Sequence, residues 1–290
     1  MRVRGRGAEK LSQARPAWAE RRQKRSGPAA RGLATGTSAR ANILGVGVSP
    51  ITMDQAIRAV DSWIARREPH YVCVTNIHGV VESQRDVHLR RIHNAAGLVT
   101  PDGMPLVWLS RLMGFTQVDR VDGPHLLPAV CEHSVAQGYR HFFYGGAPGV
   151  PERLAANLQR RFPGLRVAGT YSPPFRPLTS EEEEEIIRLI NGASPDIVWV
   201  GLGMPKQERW MAAHAGRLVA PVLIGVGAAF DFHAGCKRLA PRWMQRSGLE
   251  WSFRLMTDPR RLWRRYFTII PAFAGLFFLQ AVGLREYTLE

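Results

Sequence analysis

Ile197-Val198-Trp199-Val200-Gly201-Leu202-Gly203-Met204-Pro205-Lys206-Gln207 joins an apolar run, a glycine turn and the first residues of a polar helix within eleven positions. A run that is apolar at every residue, rather than at alternate ones, suits a strand buried on both faces of a parallel sheet. The same unit recurs on either side of it. Upstream, His141-Phe142-Phe143-Tyr144 leads into Gly145-Gly146-Ala147-Pro148-Gly149 and a predicted helix over 151–162, with proline in the first turn where its missing N–H costs least. Downstream, Val222-Leu223-Ile224 leads into Gly225-Val226-Gly227-Ala228. Further strands are predicted at 71–74 and 97–100. Helices are predicted over 53–66, 82–96 and 126–137, with a polar turn at 119–124. Glu181 to Glu185 follow Thr179 and Ser180 as a capping box, with acids at the positive end of a helix. Strands separated by helices in this way define an α/β fold, a parallel-sheet core with helices on both faces.

The charge is spread unevenly around that core. Of the formal +15, +9 falls on residues 1–40, +3 on 251–290 and +3 on the body between them. A near-neutral body argues against a nucleic-acid groove and for a basic tail plus a membrane-surface patch. Residues 1–40, rich in Arg, Ala and Gly, are expected to be a disordered tail. They contain no apolar core of a secretory signal. Residues 41–250 are expected to form the main domain, the place for any catalytic site, and 251–290 a C-terminal appendage. Cys73, Cys131 and Cys236 have no metal-binding spacing, sit in or beside apolar runs and read as buried reduced thiols of a cytoplasmic protein.

Three glycine turns after predicted parallel strands point to a nucleotide crevice. Backbone N–H groups there approach phosphates closely, and the following helix adds a positive dipole end. The glycines concerned are Gly145, Gly146, Gly201, Gly203 and Gly227, with Lys206 and Gln207 opening the helix after Gly203. No G-x-G-x-x-G follows a strand and no Walker A sequence occurs, which weakens dehydrogenase and ATPase readings. Two further strand ends carry polar groups, Thr75-Asn76 and Asp102-Gly103. A carboxylate facing the crevice there suits a general base for a hydroxyl nucleophile, or else caps the helix starting near Met104. Asp119 and Asp122 read equally well as members of a polar turn.

The order Thr75-Asn76, Pro101-Asp102-Gly103, Asp119-Arg120-Val121-Asp122-Gly123, then Gly201 to Trp210, Gly225 to Asp231 and Ala240-Pro241-Arg242-Trp243 is followed by Gly248-Leu249-Glu250-Trp251 and Pro259-Arg260-Arg261. Over about residues 43–267 this resembles the bacterial WecG/TagA/CpsF group, glycosyltransferase family 26. The resemblance implies a Rossmann-like core and an inverting transfer of a hexose-type sugar (N-acetylmannosamine, its uronic acid, or glucose). The donor it implies is a UDP-sugar and the acceptor a polyprenyl-diphosphate-linked sugar, in surface polysaccharide synthesis. It implies that Asp102 is the base, that Thr75 and Gln207 line the active site, and that Asp231 lies near the nucleotide. Family members often carry Gly-Gly where this chain has Ala228-Ala229. The rival without catalysis, a membrane-bound scaffold, is disfavoured by the presence of Asp102, Thr75, Gln207 and Asp231.

No Asp-x-Asp pair is present, no cofactor or metal is evident, and the leaving diphosphate needs another source of positive charge. Arg254 and Arg261, with Arg260, Arg264 and Arg265, are the candidates. Trp251, Phe253, Trp263, Tyr266 and Phe267 interleave with them, a mixture suited to an anionic headgroup layer. The charge-free stretch 268–284 is broken by Pro271, Gly275 and Gly283 and reads first as a monotopic or re-entrant segment. A spanning helix and a helix packed on the core or on another subunit are the alternatives. The expected location is the inner face of the plasma membrane, with self-association left open.

Overall fold

The computed structural model describes residues 39–289, with Arg261 through its backbone alone. The tail expected over 1–40 lies outside the described residues except for its last two positions. Arg40 belongs to the folded body, because its guanidinium donates to the carbonyls of Asn94 and Gly97 at 3.2 Å each.

The chain opens with a hairpin, β1 (Ala41–Ile43) and β2 (Val46–Val48), turned by Leu44 and Gly45, both at positive φ. Then follow α1 (Met53–Arg66), β3 (His70–Thr75), α2 (Ile77–Arg85), α3 (Val87–Ala95), β4 (Leu98–Pro101) and α4 (Met104–Leu112). The second stretch comprises α5 (Gly123–Gln137), β5 (Arg140–Gly145), α6 (Val150–Arg161), β6 (Arg166–Tyr171) and α7 (Ser180–Ala193). The third comprises β7 (Ile197–Gly201), α8 (Lys206–His214), β8 (Val222–Gly225), α9 (Ala229–His233), α10 (Arg242–Arg246), α11 (Glu250–Thr257) and α12 (Pro259–Ala281).

β3 to β8 form one six-stranded parallel sheet in the order β4-β3-β8-β7-β5-β6. Successive residues of each strand face opposite layers, and both layers are apolar. Tyr71, Cys73, Phe142, Tyr144, Val198 and Val200 pack on one side, and Val72, Phe143, Ile197, Trp199 and Ile224 on the other. This double burial is why the strands read as continuous apolar runs. The expected parallel α/β core is therefore present, together with a C-terminal helix.

Several expected boundaries move, each for a local reason. The single helix expected over 82–96 is two, because Asp86 ends α2 with extended backbone and caps α3, accepting from the Leu89 N–H at 3.0 Å. The turn at 119–124 ends two residues early, since Asp122 caps α5 and Gly123 and Pro124 are already helical. Strand β6 escaped the sequence reading because Arg166-Val167-Ala168-Gly169-Thr170-Tyr171 lies at the sheet edge and is only half-buried. The capping box of α7 forms as expected around Thr179 and Glu182. Of the three cysteines, Cys73 and Cys131 are buried, but Cys236 is exposed in the polar loop after α9.

The C-terminal segment is a 23-residue helix with one face docked on the body. Leu262, Ile269 and Phe273 are buried, and Gln280 accepts from the Leu44 N–H and donates to the Asn42 carbonyl, tying the helix to the hairpin. That is the packed-helix alternative along the inner face. The outer face leaves Trp263, Phe267 and Phe278 exposed. Among the described residues no helix is long and apolar enough to cross a membrane.

Candidate active site

The sheet order brings together residues that are far apart in sequence. β4, β3, β8 and β7 are consecutive in space, so Asp102, Thr75-Asn76, Gly225 to Gly227 and Gly201 to Gln207 emerge side by side from their carboxyl ends. All strands point the same way, but their order runs outward in opposite senses, β3 to β4 on one side and β5 to β6 on the other, and open α/β sheets hold ligands where that order reverses.

Asp102 is the centre of the cluster. Its N–H donates to the Thr75 carbonyl at 2.8 Å, extending the β3–β4 ladder by one bond and fixing the backbone. Its side chain, 15% exposed, accepts from Asn76 Nδ2 at 3.3 Å and lies 3.9 Å from the Arg120 guanidinium. It caps nothing, because Gly103 occupies the cap position of α4 and α4 receives no side-chain bond there. The capping reading of Asp102 is thus replaced by an uncommitted carboxyl. Burial pushes its pKa up to about 7, while Arg120 and Arg254 pull it down and Asp122 and Glu250 push it up. Asn76 does two things: its Oδ1 caps α2 through the His78 N–H, and its amide holds Asp102.

Arg120 organises the acids around Asp102. It contacts Asp122 at 2.5 Å and Glu250 more closely still, and Glu250 also holds Arg254 at 2.6 Å. Arg254 lies over the Phe232 ring, 5.6 Å from its centroid, so α11 reaches across to α9. Arg120 and Glu250 were visible in the sequence only as members of ordered motifs. Nothing in their spacing showed that they meet across 130 residues at Asp102.

The remaining expected residues divide. Gln207 is buried and donates to Glu208 at 2.9 Å, with its Oε1 unpartnered and 3.3 Å from where a Cβ on Gly227 would lie. Glu208 is buried as well, and burial pushes it up to about 7. Thr75 is buried, and its hydroxyl donates to the Cys73 carbonyl at 3.3 Å. Gly203 and Gly227 have positive φ at the open side of their loops, and Lys206 is exposed at the start of α8. Gly103 precedes α4 beside Asp102.

Gly145, Gly146 and Gly201 each have a packing reason to be glycine. A Cβ on Gly145 would lie 2.6 Å from the Gly201 carbonyl carbon, one on Gly146 would press on Val150, and one on Gly201 would strike the Phe230 ring. Asp231 is engaged by Lys237 at 2.6 Å. Of the candidate arginines, Arg254 joins the cluster and Arg265 contacts His78 on α2. Arg260 and Arg264 are exposed on α12, and Arg261 lies on that helix with its side chain outside the described residues. Among the described residues no three His, Cys, Asp or Glu side chains converge in metal-binding geometry.

Such a site offers a carboxyl whose pKa burial raises toward neutrality, close to guanidinium groups, at the carboxyl ends of the central strands. That combination suits deprotonating a hydroxyl beside an anionic leaving group. Residues 41–287 match the model of the Glycosyl transferase WecG/TagA/CpsF family. This chain belongs to that family. It is similar to the N-acetylglucosaminyldiphosphoundecaprenol N-acetyl-beta-D-mannosaminyltransferase of Bacillus spizizenii, 29% identical over 208 residues that cover 72% of this chain and 79% of the relative. The protein of the same name from Staphylococcus aureus is 25% identical over 229 residues, 78% of this chain and 88% of the relative. As a member of the family the chain is a glycosyltransferase, and the cluster around Asp102 falls within the matched residues.

Proposed function

We propose that this glycosyltransferase moves N-acetylmannosamine, or a closely related hexose-type sugar, from a UDP-sugar to a polyprenyl-diphosphate-linked N-acetylglucosamine, with Asp102 as the base. One observation carries the reading: Asp102 is a carboxyl held near neutrality between Arg120 and Arg254 at the carboxyl ends of the central strands. Its near-neutral pKa leaves a usable ionised fraction with real proton affinity. The acceptor hydroxyl gives its proton to Asp102 as its oxygen bonds to the anomeric carbon. The bond from that carbon to the diphosphate oxygen breaks, UDP departs from the opposite face, and configuration inverts.

Arg254 and its neighbours on α12 supply positive charge to the diphosphate, Gly203 and Gly227 admit the nucleotide, and no cofactor or resident metal takes part. Gln207, oriented by Glu208, offers its free Oε1 to a substrate hydroxyl. Exposed Trp263, Phe267 and Phe278, interleaved with Arg260 and Arg264, support seating at the inner face of the membrane, where a lipid-linked acceptor lies. The test is a donor screen with the full chain and a synthetic lipid-diphosphate N-acetylglucosamine, reading UDP release. UDP-N-acetylmannosamine is expected to turn over fastest, and inactivity with every UDP-sugar would overturn the reading.

A further inference from the structure

Helices α2 and α12 run side by side in the same sense and are tied at two places. Near the active site, Arg265 of α12 contacts His78, two residues beyond the asparagine that holds Asp102. Near their other ends, Gln84 donates to the Leu44 carbonyl at 2.6 Å and Gln280 accepts from the Leu44 N–H at 3.0 Å. Between these ties an open groove of about 610 Å³ lies along the two helices. Its walls include Val81 of α2 and Ala272, Gly275, Leu276 and Leu279 of α12, with Arg85 at one edge. The lining is overwhelmingly apolar.

We propose that this groove holds the first isoprenoid units of the lipid-linked acceptor, a proposal that rests on the acceptor reading above. Position is the first argument. His78, Val81 and Arg85 share one face of α2, so the groove continues from the Asp102 end of that helix. Val81 lies five residues beyond Asn76, roughly 8 Å along the axis, so the charged head and the chain fall in sequence. Chemistry is the second argument. A lining with almost no polar surface offers nothing to hydrogen-bond a polar ligand, whereas a hydrocarbon chain asks for no partner. The surroundings are the third. Phe278, at the rim of the groove, belongs to the exposed apolar row of α12 that includes Phe267, so the groove opens where the chain would leave for a bilayer.

Gly275 provides the test. A Cβ there meets nothing within 4 Å, Gly275 lines the groove, and replacing a helical glycine favours the helix. The full chain and its Gly275→Ala, Gly275→Leu and Gly275→Phe variants are assayed on two N-acetylglucosamine-diphosphate acceptors, one with a single isoprene unit and one with several. The long-to-short ratio of kcat/KM is expected to fall stepwise with side-chain size. At Leu the fall should be roughly tenfold, the affinity carried by about two buried methylenes. An unchanged ratio across the series would overturn the proposal, as would an equal loss on both acceptors, which marks Gly275 as a packing position. Flotation with acceptor-free phosphatidylglycerol–phosphatidylethanolamine vesicles supplies a separate readout. If the Leu and Phe variants lose vesicle binding while keeping the ratio, the groove takes bilayer lipid instead. Wild-type inactivity on both acceptors would remove the acceptor reading itself, an outcome distinct from a wild type that works and shows no chain-length preference.

Discussion

Replacing Asp102 by Asn keeps the shape of the side chain and removes its titration, so it separates the two consequences of a carboxyl held near pH 7. The folded pKa of Asp102 is about 7 against an ordinary 3.8, with burial as the main cause. Between those values the unfolded chain ionises and the folded one stays protonated. Any stability associated with the protonated carboxyl is therefore complete below pH 3.8 and lost as pH rises through 7. A gap of roughly three pH units, at about 1.4 kcal/mol each, makes the wild type on the order of 4 kcal/mol less stable above pH 7 than it would be with a neutral side chain there. Asp102→Asn is therefore expected to match the wild type near pH 4 and to exceed it by about that amount at pH 8, measured by urea unfolding at a series of pH values. Turnover on a lipid-linked acceptor should fall about 10²-fold or more in the same variant, with UDP still bound. A variant that is no more stable at pH 8 than the wild type would refute the argument that burial holds this carboxyl near neutrality. Near-normal turnover would remove it as the base.

Glu250 pushes Asp102 up and holds Arg120 and Arg254. Glu250→Gln should therefore move the acid limb of kcat/KM to lower pH, by about one unit; a limb that stays put would show that Glu250 only docks α11. Phe273 is buried where α12 meets the body, so Phe273→Ala should cost about 3 kcal/mol in urea unfolding, and no cost would mean that α12 is undocked in solution.

Much of the site was legible before the structure because strand ends announce themselves. An apolar run followed by glycine or by a short polar pair marks the carboxyl end of a buried parallel strand, and that local pattern places Asp102, Asn76, Gly203 and Gly227 at strand ends, where the structure has them. For Gly145, Gly146 and Gly201 the structure adds a packing reason for glycine that the pattern does not reveal. A glycine needed because two strands crowd together looks identical in sequence to one needed for a ligand, and the Gly145–Gly201 approach is visible only in space. Gln207 reads as opening a helix and, through the resemblance, as lining the active site, with nothing to show that its side chain is buried and bonded to Glu208.

Local physics, encoded in neighbouring residues, was within the reach of sequence: the doubly buried strands, the capping box at Thr179, the placement of charge at the chain ends, and the apolar–basic character of residues 251–284. Tertiary structure alone decided the order of the strands, and with it which loops meet. It set Arg120 and Glu250 beside Asp102 across 130 residues and supplied the burial that moves its proton affinity toward neutrality. It also decided that α12 docks one face on the hairpin and shows the other outward, with a groove along α2 and α12. The reason is that pKa, crevices and grooves depend on what packs against a residue, and for these residues the partners come from distant parts of the chain.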